Sequence, residues 1–133
     1  MFLRMTRFAA ALAVVSLLCA PAIASEKTLM HCFAFTEVEG ASQADWDAFH
    51  KATDELPGKI EGLGKVWAGK LRRPLSQYDS QGERTQRQHG VCMEMADEKV
   101  LEAYAKHEAH AEWVKAYEKV RVPGTTTYDI LGR

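Results

Sequence analysis

The segment Leu29-Met30-His31-Cys32-Phe33-Ala34-Phe35 is apolar on both faces when read with the two-residue period of a strand. Met30, Cys32 and Ala34 fall on one side, and His31, Phe33 and Phe35 on the other. A strand of this kind needs a cover on each face, which rules out a sheet with one side open to water. The rest of the chain must therefore supply layers around it.

The following residues do so in a recognisable order. Ser42 with Asp45 three positions later makes a capping box, and Trp46, Phe49, Thr53 and Leu56 then recur along one helical face. This predicts a helix from about Ser42 to Leu56, stopped by Pro57 and Gly58, with Gly62 and Gly64 turning the chain into a second strand over Lys65 to Leu71. From Arg72 to Gln88 the residues are mostly polar and predict a long solvated loop, the most mobile part of the domain. His89 to Met95 alternates again as a third strand, and Asp97 caps a helical region bearing Leu101, Tyr104, Trp113 and Tyr117 on its apolar face. A single helix from Asp97 to Arg121 would be about 37 Å long, whereas a strand of seven or eight residues covers roughly 25 Å. A break is expected near His107 to His110. Pro123-Gly124 ends the region, and Thr125 to Leu131 is rich in β-branched residues, as a last strand would be. The order is β-α-β-β-α-β, an α+β domain.

Ahead of this domain, Arg4 and Arg7 precede the apolar run Phe8 to Leu18 and the small-residue site Ala22-Ile23-Ala24. This pattern predicts a signal peptide over residues 1–24, a single domain over 25–133, and export to the periplasm or medium. The apolar run is too short for a permanent membrane anchor. Removing 24 of the 133 residues leaves 15 cations of the original 17 against 18 acids, a net charge of about −3 with neutral histidines. That balance does not suit nonspecific nucleic-acid binding. Two cysteines remain, Cys32 and Cys92, too few for a disulfide scaffold. Both point away from the histidine side of their strands. With the histidines level on neighbouring strands the sulfurs would be offset by roughly 7 Å, so buried thiols are expected.

Several residues on these elements together carry a family likeness. His31 opens the alternating first strand, a Pro-Gly and glycine turn leads into a second strand ending in Gly69, His89 opens the third, and Tyr104 precedes the paired histidines His107 and His110. From His31 to Leu131 the chain resembles the stress-responsive dimeric α/β-barrel (Dabb) family. The resemblance implies a ferredoxin-like fold in which two helices back a four-stranded antiparallel sheet. It also implies a homodimer whose sheets press together into a barrel, which would supply the second cover. The best-understood activity in the family is that of plant polyketide cyclases, and the residues those enzymes use resemble His31, His89, Tyr104 and His110. Two positions depart from the pattern: Glu108 stands where the paired-histidine segment usually has Pro, and Thr53 where the cyclase has a tyrosine.

An imidazole with a pKa near ~6.5 exchanges protons with a carbon acid near neutral pH, and a phenol donates to the oxyanion that forms. The expected site is a pocket with His31, His89, Tyr104 and His110 as catalytic groups and Phe33, Phe35, Trp46, Thr53 and His107 against the ligand. Its chemistry would be enolisation, aldol closure or isomerisation of a small, partly apolar carbonyl compound. No cofactor is called for. Two other readings compete with it. One is a non-catalytic stress-related dimer whose pocket is filled by its own side chains. The other is a metal- or haem-handling protein, for which His-x-x-His is a weak signature.

Overall fold

The computed structural model describes residues 28–133, so the expected signal peptide lies outside the described residues. Seven elements follow in order: β1 (Leu29–Phe35), α1 (Gln43–Lys59), β2 (Leu63–Tyr78), β3 (Arg84–Met95), α2 (Glu98–Lys106), α3 (Glu108–Tyr117) and β4 (Thr126–Leu131). The strands form one antiparallel sheet in the order β2-β3-β1-β4, the ferredoxin-like arrangement. The inward faces of β1 and β3 meet α1 and α3 in an aromatic core that includes Phe33, Phe35, Phe49, Met93, Trp113 and Val120. Among the described residues no helix is long and apolar enough to cross a membrane.

Both capping signals act as expected. Ser42 and Asp45 exchange side-chain to backbone hydrogen bonds at 3.1 and 3.2 Å, and Asp97 accepts from the Val100 amide at 3.0 Å. The first helix nevertheless passes the expected stop and continues to Lys59 with Pro57 inside it. Pro57 falls in the last turn, where its missing N–H forfeits one bond and its fixed φ suits the helix; the Ile60 amide then closes on the Leu56 carbonyl at 3.0 Å. The break in the second helical region falls where length required it. His107 has an extended backbone (φ −76°, ψ 141°), ends α2, and caps α3 by accepting the Ala109 amide on Nδ1 at 3.0 Å.

Two expectations are corrected. The segment from Arg72 to Gln88 is for the most part a two-stranded ribbon rather than a loop, with Leu75 facing Arg87 and Tyr78 facing Arg84. Its tip is a turn in which Asp79 Oδ1 accepts the amides of Gln81 and Glu83 at 2.8 and 2.9 Å, and Gly82 supplies the positive φ of 80°. Polar cross-links substitute for buried area along it: Arg84 donates to Ser76 at 2.9 Å, and Thr126 donates to Gln77 at 2.6 Å. Cys32 and Cys92 are joined in a disulfide, with Cα atoms 4.2 Å apart. The expected offset vanishes because β1 and β3 run antiparallel, which sets these two residues directly opposite each other.

Among the described residues no helix covers the other face of the sheet. Trp67, Tyr128 and Ile130 remain about half exposed there, and a groove of about 460 Å³ runs over Gly69, Gly90, Ala34 and Cys92 between Trp67, Leu71 and Tyr128.

Candidate functional site

The register of β1 against β4 places His31 opposite Asp129, and their side chains meet at 2.7 Å between Nδ1 and Oδ1. With Nδ1–H donating to the carboxylate, Nε2 is left as the acceptor nitrogen. The ring faces the aromatic core, 5.7 Å from the Tyr104 ring and 5.8 Å from that of Phe33. Tyr104 in turn lies 4.2 Å from His110, which lies 5.7 Å from Trp113, ring centre to ring centre. His31, Tyr104 and His110 therefore line one small cavity of about 180 Å³, together with Phe33 and Trp113. Tyr117, Arg121, Thr125 and Thr127 line the same cavity.

Burial sets the protonation of its walls. It pushes the Tyr104 phenol well above the usual tyrosine range, helped slightly by Tyr117, so that hydroxyl stays a proton donor. The same desolvation lowers the pKa of His110, against the opposing effect of the Ala105 carbonyl and with a small contribution from His31. His110 is thus held neutral. Tyr117 is raised by burial, while its bond to Thr125 and the charges of Arg121 and Arg87 pull the other way.

The structure brings together only part of the expected site. His89 lies far from His31: it faces Phe35 across the β1–β3 ladder, four residues or roughly 13 Å along the strand from His31. Antiparallel pairing puts the two histidines at opposite ends of β1, which overturns the expectation that they share a cavity. Instead His89 stacks on Phe35 at 5.5 Å, packs at a tilt against Trp46 at 4.7 Å, and binds Glu37 at 2.9 Å. Phe35 and Trp46 belong to this second cluster, with His50 stacked on Trp46 at 5.9 Å. His107 is occupied as a helix cap. Thr53 is fully buried in the core, where it donates to the Phe49 carbonyl at 2.7 Å and accepts from Trp113 Nε1 at 2.9 Å. Of the expected ligand-contacting residues only Phe33 reaches the cavity.

Asp129 and Arg121 did not emerge from the sequence. The usable signal for Asp129 was its position, an acid in the middle of a strand rich in β-branched residues, where an unpaired charge is disfavoured. Among the described residues no group of three or more His, Cys, Asp or Glu side chains converges as metal ligands.

No family model matches the chain, and no curated protein does. Solved structures do. A dabb family protein with a ferredoxin-like fold from Mesorhizobium loti aligns with a TM-score of 0.59 at 16% identity, over 78% of this chain and 95% of that one. A dimeric ferredoxin-like protein of unknown function from Bacteroides fragilis gives a TM-score of 0.58 at 19% identity, covering 77% and 94%. The hydroxynitrile lyase of Passiflora edulis gives 0.63 at 10% identity, covering 81% and 95%. The chain shares the ferredoxin-like fold of these proteins.

Proposed function

We propose that this chain, built on the ferredoxin-like fold of dabb proteins, is an exported homodimer that binds a small carbonyl compound and performs acid–base chemistry on it. The observation that carries this reading is the convergence of Asp129-oriented His31, Tyr104 and His110 on one cavity. His31 Nε2 takes the proton from the carbon beside the carbonyl. The electron pair of that C–H bond moves onto the carbonyl oxygen, and the Tyr104 hydroxyl donates a hydrogen bond to the enolate. Asp129 stabilises the imidazolium so formed. The proton returns to carbon in an isomerisation, or the enolate carbon attacks a second carbonyl in an aldol step. Neutral His110 positions the bound oxygen as a polar contact. At about 180 Å³ the cavity is smaller than the roughly 300 Å³ at the lower end of ordinary ligand pockets, so the substrate is small.

A carbonyl compound is also what cleavage of a hydroxynitrile releases, and the Passiflora enzyme with this fold carries that name. The Cys32–Cys92 disulfide supports export, because such bonds persist in oxidising compartments. The uncovered apolar face with Trp67, Tyr128 and Ile130, and the dimeric ferredoxin-like neighbours, support a second copy as its cover. Titration with a small ketone, followed through the imidazole resonances of His31 and His110, tests the binding. Saturable shifts at both are expected in the wild-type protein, with the His110 shift needing more ketone in His31→Gln; a His110 shift that saturates unchanged in that variant places the ligand elsewhere.

A further inference from the structure

The cavity lined by His31 is also lined by Arg121. Arg121 follows α3, and its guanidinium lies over the Tyr117 ring at 4.7 Å, only 20% exposed. Its Nε is buried and has no hydrogen-bond partner among the described residues. The carboxylate within reach is that of Glu118, at 3.8 Å and largely exposed, a contact that contributes little. Arg87 adds a second cation beside Tyr117 and donates to hydroxyls, those of Thr126 at 3.4 Å and Thr36 at 3.2 Å. A partly buried guanidinium with an unfilled donor edge is costly unless an anion meets it. Its planar fork fits a carboxylate through two parallel N–H···O bonds.

Resting on the proposed carbonyl chemistry, we propose that the substrate is a small keto acid whose carboxylate is held by Arg121 while its reacting carbonyl group lies against His31 and Tyr104. Thr125, just before β4, and Thr127 within it line the cavity. Asp129 faces His31 and Thr127 faces Phe33, and Thr125 follows two residues on with its hydroxyl 2.7 Å from that of Tyr117. From Asp129 to Thr125 the chain advances at most roughly 13 Å, and the cavity of about 180 Å³ admits only a small molecule between the two groups. The carboxylate would therefore be separated from the reacting group by a short aliphatic chain. Phe33 and Tyr117, packed edge to face with ring centres 5.4 Å apart, line the cavity and offer that chain apolar surface.

The test compares 4-oxopentanoate with its methyl ester, two ligands of nearly the same shape that differ in charge, by NMR titration of the disulfide-bonded protein. The acid should bind at least tenfold more tightly than the ester. Arg121→Gln should abolish that preference by weakening the acid and sparing the ester, and Arg121→Lys should keep part of it. His31→Gln should weaken both ligands and preserve their ratio. The acid–ester comparison on the wild-type protein needs no variant and so stands even if Arg121→Gln fails to fold. Equal affinities at a His31-dependent site would overturn the carboxylate subsite while the carbonyl site stood. No binding of either compound would overturn both.

Discussion

The Nδ1 atom of His31 and the Oδ1 atom of Asp129 lie 2.7 Å apart across the β1–β4 ladder, on residues 98 positions apart in sequence. The contact is built by strand register rather than by a motif, and it fixes which imidazole nitrogen faces the cavity. Asp129→Asn keeps the shape but removes the charge that orients the ring and stabilises its protonated form. The variant should transfer protons to and from a bound ketone about a hundredfold more slowly, within the usual range for a positioned acid–base group. Its folding stability should stay within about 1 kcal/mol of wild type, since Asp129 is 39% exposed. Single-turnover kinetics and urea denaturation on the same sample separate the two effects.

Thr53 serves the core. Thr53→Val keeps the volume but leaves the indole N–H of Trp113 without its acceptor in a buried setting. A loss of about 1–3 kcal/mol is expected in urea denaturation, with ligand affinity unchanged. Lost affinity at full stability would return Thr53 to the site.

His110 should make stability depend on pH in a definite direction. Burial disfavours its charged form, so its folded pKa lies below the unfolded value of about 6.5. The unfolded chain then binds the proton more readily, and the stability that neutral His110 contributes is present above that pH and lost as pH falls through the folded pKa. His31 and Tyr104 are the titratable groups facing it. Denaturation curves at pH 7.5, 6.5 and 5.5 should show wild type losing stability faster than His110→Gln on acidification. Parallel losses would mean that His110 titrates as an exposed histidine does.

The Cys32–Cys92 bond spans 60 residues of sequence, and closing a loop of that size in the unfolded chain is worth about 4 kcal/mol. A Cys32→Ser, Cys92→Ser double variant should lose stability of that order and resemble the reduced wild-type protein. If reduction leaves the denaturation midpoint unchanged, the cysteines are not bonded in solution.

The residues that were legible in the sequence are those whose roles are local. Ser42 and Asp97 reveal helix starts because a cap acts within three residues, and the alternation of Leu29 to Phe35 reveals its two faces by period alone. The break at His107 followed from length. Register was not legible: parity told which face Cys32, Cys92, His31 and His89 occupy, but only the antiparallel pairing decides their level along it. That single unknown joined the cysteines and parted the histidines. The ribbon beyond Arg72 escaped notice because its order rests on Asp79, Ser76 and Gln77 hydrogen bonds, which leave no hydrophobic trace. Asp129 was hidden for the same reason as the register, since its partner lies on a distant strand.

On the proposed function, His31 moves a proton between carbon and water in the cavity it shares with Tyr104. Proton NMR of 4-oxopentanoate and butanone in D₂O, at catalytic protein concentration, measures it directly as loss of the signals beside the carbonyl. Wild-type protein should accelerate the exchange well above buffer for at least one of the two compounds, and His31→Gln should return it to the buffer rate while remaining folded. Exchange at the buffer rate with both compounds, or acceleration that survives in His31→Gln, would mean that His31 is not the base.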